Sequence, residues 1–158
     1  MTARAFVRSA SRRSAVMALL LALATSAWAH TRLDASQPER DAVLDAPPEA
    51  IVLRFSDAFD LRFSRFVLIR IADDDALGPD DLQRLHGVAS QVDLDDPELD
   101  PVDVELVADG DRTSEVVLRP AVPLPAGAWL VAWRVLALDG HVMHDRLLFV
   151  TTGDGPDA

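Results

Sequence analysis

From Ala128 to Ala137 the chain alternates with period two: Trp129, Val131, Trp133 and Val135 share one face of an extended strand, and Leu130, Ala132, Arg134 and Leu136 share the other. Short apolar segments of this kind recur along the chain between proline and glycine punctuation, and none sustains a helical period. The pattern predicts an all-β domain. Seven strands are expected, at 31–36, 50–55, 64–71, 102–107, 115–119, 128–137 and 146–151. The breaks fall at Pro47-Pro48, at Asp109-Gly110-Asp111, from Pro120 to Gly127, and at Asp139-Gly140. About seven strands in some 120 residues suits a two-sheet β-sandwich. Its core is expected to hold Trp129 and Trp133, together with Phe55, Phe63, Phe66 and Phe149.

The first thirty residues belong to another kind of segment. Arg4, Arg8, Arg12 and Arg13 precede an apolar run from Ala15 to Ala24, and Ala27-Trp28-Ala29 supplies the small residues of a signal-peptidase site. The run has ten residues, whereas a bilayer span needs about 20. Residues 1–29 are therefore expected to be a cleaved signal peptide, and the mature chain to be periplasmic with no segment inserted in a membrane. The Arg12-Arg13 pair, continued by Ser14-Ala15-Val16, leaves general secretory and twin-arginine export both open.

Of the 158 residues, 15 are basic and 26 acidic. Removal of residues 1–29 takes four arginines and no acids, leaving 11 basic against 26 acidic side chains and a net charge of −15. A surface of that sign repels phosphate backbones, so nucleic acid is not an expected partner. The absence of cysteine excludes disulfides, thiolate metal centres and cysteine nucleophiles together. Ser36, Ser56, Ser64, Ser90 and Ser114 have no positioned histidine neighbour, which argues against a hydrolase.

Residues 73–103 carry eleven acids with little apolar periodicity and read as a long acidic loop, with one short helical turn near Asp80 to Leu85. A solvated connection accounts for it. A calcium site is the alternative, although the spacing departs from the Asp-x-Asp-x-Asp-Gly pattern of an EF-hand loop. The domain is expected to span residues 30–152, with 153–158 as a flexible tail.

Four histidines remain in the mature chain: His30, His86, His141 and His144. Cleavage after Ala29 makes His30 the first residue, and its amine nitrogen and Nδ1 then form a bidentate chelate of the kind that Cu(II) favours. Alone this signal is weak, because a signal peptidase can leave a histidine by chance. Asp139-Gly140-His141 places a carboxylate and an imidazole two residues apart at a strand end, although an Asp-Gly hairpin turn has a purely structural explanation too. The two places complement each other. His30 supplies two nitrogens, His141 a third and Asp139 an oxygen, which makes a four-donor set for Cu(II).

Three stretches carry a family resemblance: His30-Thr31-Arg32-Leu33 continuing to Ser36-Gln37-Pro38; Ile51-Val52-Leu53-Arg54-Phe55-Ser56; and Trp133-Arg134-Val135 followed by Asp139-Gly140-His141. In this combination the mature chain resembles the CopC family of periplasmic copper-resistance proteins, over nearly its whole length apart from the acidic loop. The resemblance implies a Greek-key β-sandwich, cupredoxin-like or immunoglobulin-like, with a Cu(II) site made by His30, Asp139 and His141. It also implies a role in sequestering or carrying copper, with an inner-membrane copper-transport protein as partner. Family members that also bind Cu(I) carry a methionine-rich loop. Here Met143 is the only mature methionine, so soft thioether donors are missing and Cu(II) alone is expected. His86 is not an expected ligand. His144, facing opposite to His141 in an extended segment, is expected at the surface or behind the ligands. Copper affinity should fall as the medium acidifies, since free amines titrate at about 7.7 to 8.0 and imidazoles at about 6.5. Two other classes stay open: a metal-free envelope module, and a copper enzyme that cleaves polysaccharide oxidatively.

Overall fold

The structure is a computed structural model that describes residues 31–73 and 77–153. The expected signal peptide and His30 lie outside the described residues, as do Asp74, Asp75 and most of the tail. Among the described residues there are seven strands: β1 (Leu33–Gln37), β2 (Ala42–Leu44), β3 (Ile51–Ala72), β4 (Val104–Ala108), β5 (Arg112–Pro120), β6 (Gly127–Ala137) and β7 (Val142–Thr151). They form one curled sheet in the order β2-β7-β6-β3-β5-β4, with β1 added on β3. All pairings are antiparallel except β2 with β7, so the sheet is mixed. The all-β sandwich expected from the alternation is the fold observed.

The strand count agrees, but its division differs. The two strands expected at 50–55 and 64–71 are halves of the single 22-residue β3. The intervening Ser56–Phe63 contains neither glycine nor proline to end it. Instead β3 changes partners. β1 flanks it over Val52–Phe55 and β5 over Ile51–Arg54, and from Phe59 onward it pairs with β6. Register shifts at 54–59 and again at 60–65 accommodate the change. At the second shift the Ser64 hydroxyl donates to the Asp60 carbonyl at 2.7 Å and accepts the Leu136 N–H at 3.2 Å, replacing a missing ladder bond. β2 is too short for its three residues to show alternation, and it owes its place to the pairing with β7.

These irregularities also correct the expected core. Phe63 is 66% exposed, because the extra residues of the bulge turn it outward, and Arg62 lies over its ring at 5.6 Å. Phe59, not anticipated, is fully buried in its stead and sits edge-on to Phe55 at 5.0 Å. Trp129 and Trp133 are buried as expected, in one cluster with Phe55, Phe59, Leu118 and Phe149. The Trp129 Nε1–H is satisfied by Thr151 Oγ1 at 3.1 Å and the Pro125 carbonyl at 3.2 Å.

The acidic segment is more than a solvated loop. A 3-10 turn at Pro79–Asp81 leads into α1 (Leu82–Ala89), longer than the single turn expected. The Asp81 carboxylate accepts the Gly78 N–H at 3.1 Å and pairs with Arg84, and these bonds hold its pKa below the ordinary value. Leu85 and Ala89, with Leu77, cover Ile69, Ala128, Leu130, Leu148 and Val150, so β6 is buried on both faces. Leu82, Leu85 and Ala89 have helical spacing, a periodicity concealed among the aspartates. Beyond α1, Arg146 donates to the Ala89 carbonyl, and Asp95 pairs with Arg134 at 2.9 Å.

Candidate metal centre

Asp139 and His141 stand on the turn that joins β6 to β7. The turn closes by backbone bonds, Ala137 N–H to the His141 carbonyl at 2.8 Å and Gly140 N–H to the Ala137 carbonyl at 2.9 Å. Gly140 adopts φ of +89°, and a side chain there would meet nothing within 4 Å, so the left-handed backbone rather than space is what calls for glycine. Asp139 Oδ1 accepts the His141 N–H at 3.0 Å, and its Oδ2 lies 3.1 Å from His141 Nδ1. The carboxylate thus reads the backbone and the ring of the same residue. Nδ1 is thus the ring nitrogen that faces the carboxylate, and Nε2 is on the far side of the ring from it. Both side chains are exposed, at 44% and 66%.

Among the described residues no group of three His, Asp or Glu side chains converges as a metal site, so a metal ion held by Asp139 and His141 would need further donors. His30 lies outside the described residues, but the residues that follow it do not. Arg32 is joined to Ser56 by two hydrogen bonds, and Thr31 is 3% exposed. Leu33 pairs with Phe55, and Ala137 pairs with Phe59. β5 runs along one edge of β3 on both sides of the shift, from Arg54–Glu115 to Phe59–Thr113, so β1 and β6 share the other edge. Both are antiparallel to β3. The chain ahead of β1 and the chain after β6 therefore run toward each other along that edge, across Ser56–Ala58. Three strand positions, about 10 Å, separate the level of Arg32 from that of Ala137.

The other histidines are engaged elsewhere. His86 Nε2 on α1 lies 2.9 Å from Asp41 Oδ1. The Asp41 N–H in turn bonds to the Leu148 carbonyl, six positions along β7 from Val142 and so roughly 20 Å from the turn. His144 pairs with Arg134 across the β6–β7 ladder and lines a groove of about 440 Å³ beside Gln91–Asp95. Met143 is partly buried against the first core cluster. His144 is exposed, one of the two places that alternation from His141 allowed it, whereas the contact of His86 joins α1 to the turn before β2, which no local pattern places.

The CopC domain family profile matches residues 33–152. This chain belongs to the CopC domain family. Copper resistance protein C of Escherichia coli is 31% identical over 131 residues, covering 83% of this chain and 88% of the relative. The crystal structure of PcoC, a methionine-rich copper-resistance protein from Escherichia coli, superposes with a TM-score of 0.55 at 27% identity, over 78% of this chain and 99% of PcoC. CopC from Methylosinus trichosporium OB3b shares the fold, with a TM-score of 0.55 at 18% identity over 78% of this chain and 95% of that one. CopC membership ties the chain to copper binding and copper resistance, and to a family of binding proteins rather than enzymes. Among the described residues no helix is long and apolar enough to cross a membrane.

Proposed function

We propose that the chain is exported to the periplasm, loses residues 1–29, and binds one Cu(II) through the amine and imidazole of His30, the His141 imidazole and Asp139. The mature domain, residues 30–152, sequesters or carries copper and passes it to an inner-membrane copper-transport protein. The observation that carries this reading is the convergence of two chain segments on one edge of β3, with a carboxylate and an imidazole already paired at one side of it. Nitrogen donors with one carboxylate suit a cupric ion, and the carboxylate offsets part of its charge. The lone mature methionine is partly buried against the core, and a single thioether disfavours Cu(I).

The test is the protein recovered after export. Its mass should correspond to a start at His30, with one Cu(II) bound. Placing one extra residue ahead of His30 turns the amine into an amide and should weaken cupric binding by tenfold or more, as should His141→Ala, measured by competition with a chelator of known affinity. A start elsewhere, or undiminished affinity in the extended chain, would refute the ligand set.

A further inference from the structure

We propose that Ser56 is a positioning residue for the amino-terminal copper ligand, an assignment that rests on the ligand set proposed above. The Ser56 N–H donates to the Arg32 carbonyl at 2.9 Å, and Ser56 Oγ accepts the Arg32 N–H at 3.2 Å. The Ser56 hydroxyl gives its own proton to Asp57 Oδ2 at 2.8 Å, which turns its lone pairs toward Arg32. One residue therefore engages both backbone groups of residue 32, two positions after His30.

The location of this clamp gives it its function. A chain end ordinarily frays, and a ligand on a fraying end binds metal only after its ordering cost is met. Ser56 lies where β3 exchanges β1 for β6 along one edge, between the level of Leu33 and the level of Ala137. A regular ladder does not continue there: β1 begins with an irregularity between Leu33 and Ala35, and the β3 register shifts between Arg54 and Phe59. The side-chain bond supplies a constraint that the strand ladder lacks at this point. It holds the chain at residues 31–32, directed at the turn of Asp139 and His141. Groups behind a metal ligand commonly change affinity by about 10 to 100-fold when removed.

The test compares the exported protein with its Ser56→Ala and Ser56→Thr variants. Cu(II) affinity is read by chelator competition and the ligand field by electron paramagnetic resonance. Ser56→Ala is expected to weaken Cu(II) by about tenfold and to broaden or split the cupric signal as the backbone at residue 32 loses its constraint. Ser56→Thr, which keeps the hydroxyl, should restore both. Unchanged affinity and an unchanged spectrum in Ser56→Ala would overturn the assignment, even if the metal-free variant melts at a lower temperature, because the bond would then serve only the fold. If instead the wild-type chain extended ahead of His30 binds as tightly as the native one, the ligand set itself falls, and the positioning role falls with it.

Discussion

Asp139 accepts the His141 N–H with one oxygen and meets Nδ1 with the other, so one side chain both closes the turn and orients the ring. That pair was readable two residues apart in the chain, because a hairpin turn keeps sequence neighbours as spatial neighbours. Asp60, on the strand that crosses the candidate centre, shows what was not readable. Hydrogen bonds from the Arg62 side chain, above all, hold its pKa below the ordinary 3.8, with help from the Arg62 backbone and from Arg112. A lowered carboxylate pKa means that folding favours the ionised form. Its stabilising effect is present above the ordinary value and disappears as the pH falls through the folded one. Asp60→Asn should therefore lower the melting temperature at pH 6, and the gap from wild type should shrink steadily between pH 4 and pH 2. A gap independent of pH would show that the carboxylate charge is not involved.

At the level of elements, α1 has the largest effect that the acidic composition concealed. Eleven acids in residues 73–103 suggested a solvated loop, yet the few apolar residues among them are spaced to cover the second face of β6. Fully buried Leu85 is central to that contact. Leu85→Ala should destabilise the domain by about 2 to 5 kcal/mol, seen as a lower urea midpoint with an unchanged slope. A change below about 0.5 kcal/mol, the range of ordinary surface substitutions, would mean that α1 does not belong to the cooperative core. β3 carries the complementary lesson. Its two apolar halves were visible as strands, but their fusion was not, since the bulges use Ser64 and Asp60 rather than glycine or proline.

For the whole molecule, copper binding and folding should be linked, because the proposed donors come from chain segments 109 positions apart in sequence, at 30 and 139. At free Cu(II) one hundred times the dissociation constant, the mature protein should gain about 2.7 kcal/mol of stability, a rise of several degrees in melting temperature. The chain extended ahead of His30 should gain far less. Equal gains in both would assign the stabilisation to another site. The all-β class, the tryptophan core and the Asp-Gly-His turn could all be read from residue order, because each is a local pattern: alternation, or a turn of adjacent residues. The outward swing of Phe63, the docking of α1 and the approach of β1 and β6 along one edge of β3 could not. They depend on strand register and bulges, which bring together residues far apart in the chain and leave no periodic trace in either segment alone.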